Sequence, residues 1–376
     1  MITSSTSGVW ELDDVFAKVN AERWRPNGVA LFSWGYNTQG QLGQSDTIRR
    51  SSPTQIPGTT WNSVDGGNNF ALSTKTDGTL WAWGRNFRGE LGQNDLTNYS
   101  SPTQVPGTTW SIICSGNFCS LATKTDGTLW SWGYNSFGQL GQNDLTNYSS
   151  PRQIPGTTWS SICSVGSGTY HFLARKTDGT LWAWGRNQLG QLGQNNRTYA
   201  SSPVQIPGTT WSFVSATNQS VLATKTDGTL FVWGGNQNGE LGQNNQTPHS
   251  SPVQIPGTTW SSAVGVQHSL ATKTDGTLWA WGRNAFGELG QNDTIQFSSP
   301  TQIPGTTWRS INTGDNISMA TKTDGTLWSW GYNGNGNLGQ NNTTYRSSPV
   351  QIPGTQWSSL GLGKRISFAL QNVYTS

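Results

Sequence analysis

Residues 72–84 read LSTKTDGTLWAWG, and this stretch decides the fold. Two short segments flank Asp77-Gly78, a dipeptide that favours a two-residue turn between antiparallel strands. Beyond the turn the side chains alternate with a period of two. Leu80 and Ala82 share one face, Trp81 and Trp83 the other, as a strand demands. Wherever the pattern returns, the position of Ala82 holds only Ala, Ser or Val. Large rings on one face and small side chains on the other suit wedge-like sheets set around an axis, with aromatic burial filling the gaps.

Outward from this hairpin, Trp-Gly recurs at Trp34, Trp83, Trp132, Trp184, Trp233, Trp281 and Trp330, seven copies 48 to 52 residues apart. Pro-Gly-Thr keeps step with it at Pro57, Pro106, Pro155, Pro207, Pro256, Pro304 and Pro353, each followed by a Trp from Trp61 to Trp357. With five more Trp two places before Trp-Gly, these slots hold 19 of the 21 tryptophans, so the Trp content is architectural. Short strands, turn signals and a period near 50 predict an all-β chain: a seven-bladed β-propeller with one repeat per four-stranded antiparallel blade. Asp-Gly-Thr turns number six, at Asp77, Asp126, Asp178, Asp227, Asp275 and Asp324, against seven Trp-Gly strands. The missing hairpin is split: ISFALQNV (366–373) matches the first strand and VALFSWG (29–35) the second. The expected domain therefore spans 29–376 and closes by pairing its two ends, after a leader at 1–28.

Composition narrows the function. Charged residues make up 11% of the chain and the net charge is +3, thinly scattered, which excludes coiled coils and offers no polybasic footprint for nucleic acid or anionic lipid. No apolar run reaches the ~18 residues of a membrane span, and the start has no secretory-signal pattern. Cys114 and Cys163 share a repeat slot four residues after a Trp and, like Cys119, read as small buried side chains. His171 and His268 share another slot and read as structural. No GxSxG, HExxH or phosphate-loop motif is present. Asp46, Asp95, Asp144 and Asp293 lack calcium-loop spacing, and other copies carry other residues there. No enzyme, cofactor or metal is expected.

The pattern GxxHSLA…DGTLWAWGxNxxGxLGQ at 265–291 resembles the regulator of chromosome condensation repeat, and the likeness runs over roughly 29–376. It implies a seven-bladed propeller used as a binding scaffold; members of that family include a nucleotide exchange factor, an ultraviolet receptor and an inhibitor of a β-lactamase. The loops before the first hairpin strand carry no Trp, which argues against photoreception, and no large insertion or basic tail of the exchange-factor kind appears.

Copies differ most at the end of the hairpin opposite Asp-Gly. The slot after Trp-Gly reads Tyr36, Arg85, Tyr134, Arg186, Gly235, Arg283 and Tyr332, and the next variable slots add Phe87, Arg88, Phe137, Leu189 and Phe286. Tyr, Arg and Phe dominate interface hot spots, so this rim is the expected binding face for a protein or host-surface glycan, with the outer loop Leu96–Tyr99 as the competing surface. In the leader, Leu12, Val15, Phe16 and Val19 keep amphipathic-helix spacing, a candidate docking helix for other virion proteins or for the propeller itself. SSTSGVWELDDVF (4–16) resembles leaders on virion structural proteins of marine tailed phages. The expected role is a non-enzymatic recognition or decoration module on a phage particle, with no membrane insertion; the alternative is a bacterial scaffold or inhibitor, cytoplasmic or extracellular.

Overall fold

The computed structural model describes residues 28–163 and 169–374. They form seven four-stranded antiparallel sheets. In the second blade Trp61–Gly66, Phe70–Lys75, Leu80–Gly84 and Tyr99–Val105 lie in chain order, and blades three to seven repeat it. The strands opening on the Pro-Gly-Thr Trp contact one another around a complete ring, so they line the axis. Strands such as Tyr99–Val105, at the far side of each sheet, form the circumference. The first blade takes Trp357–Gly363 and Ile366–Val373 from one end of the chain and Gly28–Gly35 and Arg50–Ile56 from the other. Its central pair runs from Gly28↔Val373 to Gly35↔Ile366 without a break.

The hairpin turn differs from the two-residue expectation. The Gly78 N–H donates to the Lys75 carbonyl at 3.0 Å and the Lys75 N–H to the Thr79 carbonyl at 3.0 Å. Only Gly78 is left-handed (φ 77°). The loop is therefore Thr76-Asp77-Gly78, a turn followed by a glycine bulge. Asp77 contributes through its side chain, whose Oδ1 accepts from the Thr79 N–H at 2.9 Å and hydroxyl at 2.6 Å. The Thr79 hydroxyl in turn accepts the Trp81 indole N–H at 2.8 Å.

The hydrophobic core is divided among blade junctions. Leu72, Leu80, Leu91 and Val105 of the second blade receive Trp110 and Trp132 of the third, whose rings meet edge to face at 6.0 Å. Alternation explains the fit, because Ala82 on the facing surface leaves room for the rings. Each Trp of a Trp-Gly pair reaches back one blade with its indole N–H. Trp83 donates to the Gln41 carbonyl, Trp132 to Glu90, Trp184 to Gln139, Trp233 to Gln191, Trp281 to Glu240, Trp330 to Glu288 and Trp34 to Asn337, at 2.7–3.0 Å. Burying such a ring stabilises by roughly 1.5–3 kcal/mol, and the hydrogen bond fixes the rotation of one wedge on the next.

Candidate binding face

Every residue after Trp-Gly is tied by its backbone to the loop before the blade's second strand. Arg85 N–H donates to the Asn69 carbonyl, Tyr134 to Phe118, Arg186 to Tyr170, Gly235 to Gln219, Arg283 to Gln267, Tyr332 to Asn316 and Tyr36 to Arg365. The variable rim and the seven inner loops are thus one face of the ring, at the end opposite the Asp-Gly turns.

The next residue, always Asn, builds the rim loop. Asn86 is fully buried; its Oδ1 accepts the Leu91 N–H at 2.9 Å and its Nδ2 donates to the Asp95 carbonyl and carboxylate at 3.1 and 2.9 Å. Asp95 also accepts the Thr97 N–H at 3.0 Å. Where the copy has Asn196 instead, the same bonds form with Asn187 and Thr198. The carboxylate charge is dispensable to that geometry, and among the described residues no group of three or more His, Cys, Asp or Glu is placed to hold a metal.

Side chains on this face gather into an arc over blades two to four. Arg85 lies over the Phe118 ring at 4.2 Å and the Phe87 ring at 5.1 Å, and Arg88 over Tyr134 at 5.3 Å. Tyr134, Phe137 and Tyr170 meet edge to face at 5.1–6.2 Å, and Arg186 lies 5.7 Å from the Phe137 ring. The fifth blade interrupts this belt, since Gly235 has no side chain and its neighbours are Gln237 and Asn238. Leu189 closes the arc beside Gly235, where an added Cβ would stand 2.9 Å from the Leu189 Cδ1. A smaller group of Arg283, Phe286, Tyr332 and Tyr345 lies beyond the gap, and Tyr36 sits under Arg49 and Arg365. Phe87 and Arg88 are exposed, and the other rim candidates named from sequence are half-buried apart from Gly235.

Two of the arginines have inward partners. Arg85 Nε is 3.6 Å from the Glu90 carboxylate and Arg283 Nη1 is 3.9 Å from that of Glu288, both carboxylates being fully buried. Burial pushes the Glu90 carboxyl up to about 7, opposed by backbone N–H groups and by Arg85 and Arg88. Glu240 is pushed up in the same way, but no arginine stands at Gly235 to meet it. Arg88 and Arg186 are the cations of the arc whose guanidinium has no carboxylate within 4 Å among the described residues.

The inner loops enclose a cavity of about 510 Å³ on the axis, a feature absent from the sequence-based candidates except for Arg283. Amides supply much of its wall: Asn68, Asn117, Asn218, Gln267 and Asn316, from five different blades. Asn68 donates to Asn117 at 2.6 Å, and Arg283 donates to Gln267 at 2.8 Å and to Asn316. Lys364, Asp315, Phe118 and Tyr170 complete the wall. The sequence signal is the divergence of these loops from copy to copy, which has no address until the ring brings them together.

The remaining sequence candidates lie away from this face or inside. His268 is fully buried and shares a 2.8 Å hydrogen bond with Ser318; burial pushes its ring down to about 3, and that of the equally buried His171 likewise. Cys114 and Cys119 are buried, and burial pushes the Cys119 thiol far up. In the outer loops Leu96 and Leu145 stand exposed at one repeat slot and Ile48 and Ile295 at the next, which keeps that surface in competition with the rim. Leu12, Val15, Phe16 and Val19 lie outside the described residues.

The RCC1-like domain profile matches residues 109–369, and the regulator of chromosome condensation (RCC1) repeat matches 30–73 and 77–123. The chain belongs to the RCC1-like domain family. No curated protein matches it by sequence. Among solved structures, this RCC1-like propeller is similar to Prp20p from Saccharomyces cerevisiae, with 21% identity, a TM-score of 0.83, and coverage of 93% of this chain and 92% of that one. Human WBSCR16 gives 20% identity and a TM-score of 0.82 over 93% of this chain and 100% of its own. Yeast RCC1 (Prp20) in its complex with Kap60 gives 20% and 0.80 over 100% and 95%. At these identities the likeness is one of fold.

Proposed function

We propose that this propeller is a non-catalytic recognition module that meets a macromolecular partner, a protein or a host-surface glycan, through the rim and axial mouth opposite the Asp-Gly turns. The observation that carries the reading is the arc of Arg88, Tyr134, Phe137, Tyr170 and Arg186, at slots that vary from copy to copy on a ring whose other end repeats almost unchanged. Aromatic and arginine anchors around a concavity are the usual composition of interface hot spots. Prp20p is described with its binding to Gsp1p and histones, and yeast RCC1 with Kap60 bound, so the fold serves as a protein platform elsewhere. Prp20p's partners are not carried over, because function resides in the site and not in the fold.

The setting we propose is a phage virion, with the leader at 1–28 as the attachment to other virion proteins. Its support is the likeness of SSTSGVWELDDVF to phage leaders. The test has two parts. Removing residues 1–26 should spare the propeller and abolish co-purification with particles. Replacing Arg88, Tyr134 and Arg186 together by Ala should keep the protein on particles and weaken its adsorption to host cells by about a hundredfold or more, about 1 kcal/mol or more for each of the three hot spots. Full adsorption by that triple variant, with loss on changing Leu96 and Leu145 to Ser, would move the site to the outer loops. Arg85 and Arg283 are left untouched because they neutralise buried glutamates.

A further inference from the structure

Away from the rim, the same groove opens at one blade junction after another. Between blades five and six its walls are Trp260, Trp279 and Lys273 with Gln243, Asn244 and Pro300, around about 350 Å³. Equivalent grooves of about 310, 290 and 370 Å³ open beside Trp182, Trp328 and Trp357. None of these four is lined by a carboxylate. Two rings are set at a steep angle in each, 73° for Trp260 and Trp279, with one buried and one half-exposed. In the three grooves beside Trp182, Trp279 and Trp328 the half-exposed ring is pinned, because its indole N–H is spent on the Thr of the Asp-Gly-Thr turn: Trp182 on Thr180 at 2.9 Å, Trp279 on Thr277 at 3.0 Å, Trp328 on Thr326 at 2.9 Å. In the fourth the half-exposed ring is Phe32. In the first three a Lys ammonium hangs over both rings, Lys176 at 4.9 and 4.2 Å, Lys273 at 4.8 and 4.3 Å and Lys322 at 4.6 and 4.4 Å from the centroids, whereas the wall beside Trp357 has Gln371 and no Lys.

Folding alone accounts for the buried ring of each pair. It does not account for a second, immobilised ring held half in solvent beside an ammonium and amide side chains. From this arrangement we infer that the grooves beside Trp182, Trp279 and Trp328 each take one pyranose unit of a repeating polysaccharide. The flat C–H face of a pyranose packs on the fixed aromatic ring, and its hydroxyls meet the Lys donors and the Gln and Asn amides, which both donate and accept. Ligand sites of about 300 Å³ or more with apolar walls and few polar groups hold small units of this kind. A folded protein partner needs about 800 Å² of its own surface buried, more than a groove of this size takes in. Near-identity of these three grooves adds the last constraint: equal sites select equal ligands, and a polymer of one repeating unit presents them together, so weak single contacts multiply into avidity.

The rim face and these grooves are different surfaces, and the experiment separates them. The full chain is applied to a glycan array covering bacterial, algal and animal polysaccharides, and an oligosaccharide of the bound class is then titrated while the indole NMR signals are followed. Binding of at least one polysaccharide, with the half-exposed indole signals shifting together, is expected. The variant Trp182→Ala/Trp279→Ala/Trp328→Ala should lose tenfold or more in apparent affinity, and the rim variant Arg88→Ala/Tyr134→Ala/Arg186→Ala should lose none. If the tryptophan variant does not fold, the indole titration of the unaltered protein decides alone. The inference is overturned if no glycan binds, if binding leaves the half-exposed indole signals unmoved, if the folded tryptophan variant binds unchanged, or if the rim variant abolishes the glycan signal.

Discussion

Trp34 donates its indole N–H to the carbonyl of Asn337 at 2.7 Å, although 303 residues separate the two in the chain. The same carbonyl accepts the Ser367 hydroxyl at 2.9 Å, so both halves of the seam blade are fastened to one oxygen of the blade before it. Trp34→Phe keeps an aromatic ring, removes the donor and leaves a small cavity where the rest of the indole stood, and Ser367 still serves the carbonyl; a loss of about 2–3 kcal/mol is expected. Adding Ser367→Ala removes both protein donors that the buried carbonyl accepts from here and should cost a further 1–3 kcal/mol or so. Urea denaturation of the two variants checks the difference.

Truncation after Arg365 removes the strand Ile366–Val373 and leaves its partners Gly28–Gly35 and Trp357–Gly363 without it. Two open edges then replace one continuous sheet. Loss of a single cooperative calorimetric transition, with aggregation on heating, is expected; a melt like that of the full chain would mean that the seam contributes nothing to closure.

Asp65 stands on an axis-lining strand, where its carboxylate accepts the Ser115 N–H at 2.6 Å from the next blade. Burial pushes its carboxyl up from 3.8 to about 7, against that N–H. Between these values the folded state holds a proton that the unfolded state has lost, so stability falls as pH rises from about 4 to about 7 and levels off above. Asp65→Asn keeps an acceptor and removes the titration. The variant should equal the parent near pH 4 and melt higher at pH 8, with the gap opening between; a pH-independent difference would mean that Asp65 titrates normally.

Arg85 and Arg88 lie on one rim loop but should behave differently. Arg85→Ala leaves the buried Glu90 without its closest cation, costing up to about 3 kcal/mol at pH 8, where the carboxylate is ionised. At pH 5 Glu90 carries a proton in the fold, and the loss should shrink. Arg88→Ala, at an exposed position, should stay within about 0.5 kcal/mol at both. Thermal melts at the two pH values check the pair.

What can be read in the sequence is whatever the repeat states seven times. Alternation at Leu80–Trp83 and the recurrence of Trp-Gly give the strands, the blades and the family. The turn is one residue longer than its sequence suggests, since Asp-Gly favours a two-residue loop while Gly78 alone takes the left-handed conformation. The link from Arg85 to Glu90 is hidden, because a spacing of five residues has no meaning until Asn86 curls the loop. Asn68 and Asn316 cannot be seen as neighbours of one cavity: they belong to different blades, and only the closed ring brings their loops to one axis.

The antiparallel register of the seam blade also fixes how the molecule can be mounted. Gly35 and Ile366 meet at the rim, so Gly28 and Val373, paired at the other end of the same two strands, mark where the chain enters and leaves the ring. Both lie on the Asp-Gly side. Anything fused before Gly28 or after Val373 therefore pulls from the back, and a propeller held by either tether turns its variable rim outward.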